Sequence, residues 1–155
     1  MNYKICKSEI DDAEDLLEIQ KLAYQIEATR YNYYNFTSLN QTVEELKSLY
    51  KDHIILKAVL DGKIIGSVRA YEKNGTCYIG MLFVHPHYHN QGIGTALMKE
   101  IEKQFKAIRY ELFVGTKSDN NIHLYKKLGY DIYRKDKYKG LDIEIFYMEK
   151  SNKNI

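Results

Sequence analysis

The sequence is short of almost everything that marks a secreted, membrane-spanning or polyanion-binding chain. Its two cysteines, Cys6 and Cys77, make no disulfide framework, and neither has a CxxC partner. No apolar stretch is long enough to span a bilayer, and no apolar segment with a cleavage site precedes the acidic run at 11–15. A charge excess is missing too. The 23 basic and 21 acidic residues leave a formal +2, and basic runs such as 133–137 are interrupted by acids, so nucleic acid is not the expected partner. There is a single proline, and no repeat or low-complexity linker divides the chain. What remains is a globular composition, 45% hydrophobic and 28% charged. The expectation is one domain over residues 1–150 with a polar tail at 151–155, in a reducing cytoplasm, with no membrane and no metal.

Hydrophobic periodicity orders the chain. Residues 3–6 read as a short strand. Ser8 or Asp11 can cap a helix in which Leu16, Ile19, Ala23 and Ile26 recur at three- and four-residue spacings. Thr42-Val43-Glu44-Glu45 is a capping box, in which Thr42 and Glu45 satisfy each other's backbone donors and start a short helix through Leu46 and Leu49. Two β-rich runs, 54–60 and 64–70, flank Asp61-Gly62, and Asn74-Gly75 leads into a third at 76–84; these turns signal an antiparallel meander. The period then changes. Ile93, Leu97, Ile101 and Phe105 share a helical face, 109–114 is a strand, 119–128 a helix stopped by Gly129, and 130–133 and 143–148 are strands. The predicted fold class is α/β, a mixed and mostly antiparallel sheet flanked by helices in the order β-α-α-β-β-β-α-β-α-β-β.

Between the meander and the next helix the chain reads Val84-His85-Pro86-His87-Tyr88-His89-Asn90-Gln91-Gly92-Ile93-Gly94-Thr95. Two glycines at a helix start permit conformations and approaches that a Cβ forbids. The first helical amides have no intrahelical partner, and the helix dipole stands behind them, so the turn can accept phosphate oxygens. A dinucleotide fingerprint is excluded, because the third glycine and the parallel βαβ setting are absent, and a P-loop is excluded because no Gly-Lys-Ser/Thr follows. Read alone, Gly-x-Gly suits a plain tight turn equally well.

Taken together, the strand, the Gln91-Gly92-Ile93-Gly94-Thr95-Ala96 turn and Leu124-Tyr125-Lys126-Lys127-Leu128-Gly129-Tyr130 resemble the two sequence motifs of the GNAT N-acetyltransferases, and the element order resembles that family's fold throughout. The resemblance implies acetyl-CoA as donor cosubstrate. Leu82, Phe83 and Val84 would pair with its pantetheine arm, and the amides of Asn90, Gln91, Gly92, Ile93, Gly94 and Thr95 would bind its pyrophosphate. It further implies that an amide near Leu82 or Phe83 polarises the thioester carbonyl and that Tyr125 protonates the departing thiolate. The acceptor would be a primary amine of a small molecule or peptide. Several positions depart from the family pattern. His89 stands where Arg or Gln is usual, and Ser118 stands where asparagine is frequent, still able to bond the cofactor arm or cap the helix. Phe113 stands where some members carry a glutamate base. The base is left between Glu72, Glu111 and a water relay.

Other constellations carry less. His85, His87 and His89 alternate without an acidic or cysteine partner, which argues against a metal site, and nothing beside Cys77 would activate it as a nucleophile. The aromatic stretch 24–36, with Glu27 in it, suits either an acceptor pocket for a cationic amine or a packed, homodimeric surface. The competing functional reading is a non-catalytic acyl-CoA-binding regulatory module.

Overall fold

The computed structural model describes residues 1–153; the last two residues of the predicted tail lie outside them. Seven strands form a sheet in the order β1-β2-β3-β4-β5-β7-β6. They are β1 (Lys4–Lys7), β2 (Ile54–Leu60), β3 (Lys63–Lys73), β4 (Thr76–Val84), β5 (Arg109–Gly115), β6 (Asp131–Lys137) and β7 (Glu144–Ser151). All neighbours are antiparallel except β4 and β5, which run parallel. The helices are α1 (Ala13–Tyr31), α2 (Thr37–Asn40), α3 (Val43–Leu49), α4 (Ile93–Lys103) and α5 (Asp119–Lys127). The order matches the expectation, with the short α2 added between the first two predicted helices.

Local chemistry explains the punctuation. Asp61-Gly62 and Asn74-Gly75 all have positive φ, the conformation of two-residue hairpin turns whose twist matches the flanking strands. The capping box forms as expected: the Glu45 amide donates to Thr42 Oγ1 at 3.1 Å and the Thr42 amide to Glu45 Oε1 at 3.0 Å. Gly129, at φ +98, ends α5.

The sheet buries both faces. On one, Leu97, Met98 and Ile101 of α4 and Tyr125 of α5 pack against Leu56, Val68, Cys77, Ile79, Leu112 and Met148. On the other, Leu16 and Leu17 of α1 and Leu46 of α3 close over Ile55 and Phe83. The inner face of α1 differs from the predicted one. Ile26 is exposed, while Gln20 is fully buried, its amide donating to the Ser38 carbonyl at 2.8 Å and to Gln41 at 3.1 Å. Its side-chain oxygen, with that of Gln41, takes the guanidinium of buried Arg69. A hydrogen-bonded polar cluster replaced the apolar residue that periodicity favoured.

Gly66 of β3 sets how closely β4 and α4 approach. A Cβ there would stand 2.9 Å from the Phe83 carbonyl oxygen and 3.3 Å from Leu97 Cδ1. Gly66→Ala is expected to destabilise the fold by about 1–3 kcal/mol through overpacking, read as a lowered urea midpoint with unchanged slope. An unaltered midpoint would contradict this packing.

Candidate functional site

β4 and β5 pair over three residues only, Thr76–Tyr78 with Arg109–Glu111. Beyond Tyr78 they separate. β4 stays with β3 through an irregular step between Ser67 and Arg69, and Met81 takes the left-handed φ of +54. β5 continues with β7 as far as Gly115. The diverging edges of 79–84 and 112–115 have no strand partner toward each other, so they expose backbone donors and acceptors to the space between them. That space is a cavity of about 920 Å³.

The turn before α4 borders this cavity. Asn90 and Gly92 have φ of +62 and +80. The first intrahelical bond runs from the Ala96 amide to the Gly92 carbonyl at 3.0 Å, which leaves the amides of Ile93, Gly94 and Thr95 without acceptors inside the helix. Gly94 lies where a Cβ would meet Leu124 of α5 at 3.3 Å, so the second motif glycine brings the two helices together. His89 returns to the strand, its Nε2 lying 2.9 Å from the Val84 carbonyl. His85 caps its own turn by accepting from the His87 amide.

Of the residues singled out from the sequence, Leu82, Phe83, Val84, Asn90, Gly92, Ile93, Gly94, Thr95, Ser118 and Tyr125 all line the cavity, whereas Gln91 is exposed beside it. Tyr125 is buried and lies 6.1 Å from the Tyr130 ring. None of the described residues bonds its hydroxyl. Burial, with Tyr24 and Glu27 adding to it, pushes this hydroxyl well above the ordinary tyrosine range.

Two acids considered as bases stand elsewhere. Glu111 lies at the closed end of the strands, where its Oε1 accepts from Arg109 at 2.8 Å and from the Tyr133 hydroxyl at 2.8 Å. Glu72 is exposed on β3 opposite Cys77. Neither borders the cavity. Two-residue periodicity put Glu111 on the face of Phe113, which it shares, but not at the open end. Cys77 is enclosed at that closed end, and burial pushes its thiol up to about 12.

The opposite wall comes from α1. Gln20, Tyr24, Glu27 and Tyr31 recur at three- and four-residue spacing, so one polar stripe continues the apolar face of the helix. Tyr24 is half-buried, edge-on to Phe83, with its hydroxyl 3.5 Å from the Leu82 carbonyl. Burial pushes its hydroxyl upward as well, with Arg69 pulling the other way. Tyr31 reaches the loop after β5. Its hydroxyl pairs with Ser118 Oγ at 2.8 Å and accepts from the Lys117 amide at 3.0 Å. Ser118 Oγ also donates to Glu27 Oε2 at 2.9 Å. A Cβ at Gly115 would overlap the Tyr31 hydroxyl, so the missing side chain makes room for this contact. The sequence carried one faint signal of it, the helical spacing of Tyr24, Glu27 and Tyr31; the partners lie 86 or more residues away.

Tyr31→Phe removes the acceptor of the Lys117 amide. With about 1 kcal/mol for a typical hydrogen bond, that amide is expected to exchange roughly fivefold faster in hydrogen-exchange NMR. Unchanged protection would mean that the Tyr31 contact does not persist in solution.

The acetyltransferase (GNAT) family matches residues 13–130. A Methanocaldococcus jannaschii protein named an uncharacterized N-acetyltransferase is 32% identical over 139 residues, which are 83% of this chain and 61% of that protein. The chain thus spans less than two thirds of that relative's length. An N-alpha-acetyltransferase of Sulfurisphaera tokodaii is 27% identical over 144 residues, covering 83% and 80% of the two chains. Among solved structures, the PaiA N-acetyltransferase of Thermoplasma acidophilum in complex with coenzyme A superposes with a TM-score of 0.83 at 22% identity, over 98% of this chain and all of that one. The similarity is one of fold.

Proposed function

The chain belongs to the GNAT acetyltransferase family, and from that footing we propose that it carries an acyl group, acetyl in the simplest case, from a CoA thioester to a primary amine of a small molecule or peptide by direct attack. The supporting observation is the pair of partnerless strand edges facing one another across the cavity, with the Gly92 turn and the Tyr125 hydroxyl bordering the same space. An extended arm bearing amides finds backbone partners along Leu82, Phe83 and Val84. A pyrophosphate is met by the amides of Ile93, Gly94 and Thr95, where the dipole of α4 favours negative charge. Positive φ at Gly92 bends the backbone into that cradle without a side chain in the way.

The thioester supplies an activated acyl carbon, and this chain's groups supply the rest. An amide near Leu82 or Phe83 stabilises the charge that develops on the carbonyl oxygen. Tyr125 gives its proton to the departing thiolate, and its raised pKa keeps it in the acid form at neutral pH. Ser118, held by Tyr31 and Glu27, lines the same cavity, where it can bond the cofactor arm. The same reading puts the protein in a reducing cytoplasm, which suits its two unlinked thiols. No described helix is long and apolar enough to cross a membrane.

Thiol release from acetyl-CoA, read against a panel of alkyl diamines, amino acids, aminoglycosides and short peptides, tests the activity. Binding of acetyl-CoA with no release for any of them would instead identify a non-catalytic binding module. Tyr125→Phe is expected to cut turnover on the order of 10²-fold with acetyl-CoA affinity preserved; undiminished turnover would remove Tyr125 as the acid. Because its pKa is raised above 10, loss of the acid form should depress kcat only above pH 10, not below it. Gly92→Val should abolish CoA binding in calorimetry, because a β-branched residue is strained at φ +80 and the turn must shift, while the circular dichroism stays native, because the space around a Cβ there is open and the shift stays local. Retained affinity would sink the anion-site assignment.

A further inference from the structure

A protonated amine is no nucleophile, and the acids considered from the sequence lie outside the cavity. One carboxylate among the described residues lines it, that of Glu27. The side chain retains 22% exposure and is clamped from two sides. Ser118 Oγ donates to its Oε2 at 2.9 Å, and Arg30, one turn further along α1, pairs with its Oε1. Tyr24 and Tyr31 flank it at one turn on either side of the same stripe. Its field reaches the hydroxyls of Tyr24 and Tyr125, and it raises both. The carboxylate is therefore fixed, faces the cavity, and lies within electrostatic reach of the acid proposed above.

Resting on the acyltransfer reading, we propose that Glu27 is the general base of the reaction and the docking point of the acceptor's ammonium group. The carboxylate first pairs with R–NH3+ and takes one of its protons. The freed nitrogen lone pair forms the N–C bond to the acyl carbon, and the C–S electron pair leaves on sulfur, which takes the Tyr125 proton. A second N–H proton restores Tyr125. The products are the amide, the CoA thiol and one proton on Glu27, which passes to solvent. Tyr31 and Ser118 are positioning residues: Ser118 holds the carboxylate and Tyr31 holds Ser118. The site thus calls for an acceptor that arrives as a cation, with its ammonium group between the Tyr24 ring and Glu27.

The test compares two nucleophiles with purified full chain and acetyl-CoA: the best alkylamine of the panel, and hydroxylamine, which is already unprotonated at neutral pH. Glu27→Gln is expected to lower kcat with the alkylamine on the order of 10²-fold, to lower transfer to hydroxylamine much less, and to leave acetyl-CoA affinity unchanged. Glu111→Gln, at the closed end of the strands, should leave both rates near wild type. Equal loss with both nucleophiles, or a raised KM with kcat retained, would overturn the base assignment. If Glu27→Gln does not fold by circular dichroism, Glu27→Asp serves. It keeps a carboxylate and is expected to retain more alkylamine turnover than Ser118→Ala with Glu27→Asp combined; equal rates would overturn the clamp. No CoA release by the wild-type chain with either nucleophile would instead remove the acyltransfer reading itself.

Discussion

The parting of β4 from β5 is the constraint from which the rest of the molecule follows. A parallel pair with matched lengths would zip up along its whole extent, because each further residue adds backbone bonds that water must otherwise supply. Here the pairing stops after Tyr78, and β4 is drawn toward β3 by the irregular step opposite Arg69 and by the left-handed backbone of Met81. A non-glycine residue in that region costs roughly 1–3 kcal/mol and persists only where its surroundings fix it. The surroundings do so because β3 pairs with the strand on either side of it, at Gly80 and at Phe83, and Gly66 of β3 lets β4 and α4 close in. In exchange the sheet keeps two unpaired edges at its centre, where a ligand can complete what the neighbouring strand leaves open.

The walls of that opening are made by very different means. The α4–α5 side is an apolar core in which the turn glycines allow close approach, so its position is fixed by packing. The α1 side is polar. Gln20, Gln41 and Arg69 form a buried cluster in which one guanidinium nitrogen, Nη1, has no partner among the described residues, and burial works against its charge. Further along the same helix, Glu27, Tyr31 and Ser118 form a second cluster tied to the loop after β5. Polar contacts are directional and need the correct partner, whereas apolar ones need only volume and shape.

Much of the architecture was legible in the sequence because its signals were local. Asp61-Gly62, Asn74-Gly75, the Thr42–Glu45 box and Gly129 each encode a turn or a helix end within a few residues, and all of them form. The Gly92 and Gly94 turn was readable for the same reason. What escaped was non-local. Nothing at Met81 announces a positive φ, since the residue there has a side chain and no turn-forming chemistry. The Glu111 side chain was placed on the correct face, yet its distance from the opening depended on where two strands stop pairing. Gln20 took the inner side of α1 because its partners come from two other segments, Ser38 and Gln41 from α2 and its end and Arg69 from β3.

The polar stripe on α1 has a consequence for how such a molecule can change over time. The surface proposed to face the donor is drawn from residues 79–95 and 112–125, whereas the α1 wall comes from residues 23–31 and the short stretch 36–38 that follows. These two stretches of chain meet across the cavity and share little of the same apolar core, since α1 packs on the opposite sheet face from α4. Substitutions at Ala23 or Ile26, which line the cavity and take no part in the Glu27–Ser118 contact, can therefore retune the shape offered to an incoming molecule while the far wall stays as it is. In effect, one helix carries a fixed polar anchor and, beside it, positions with room to drift.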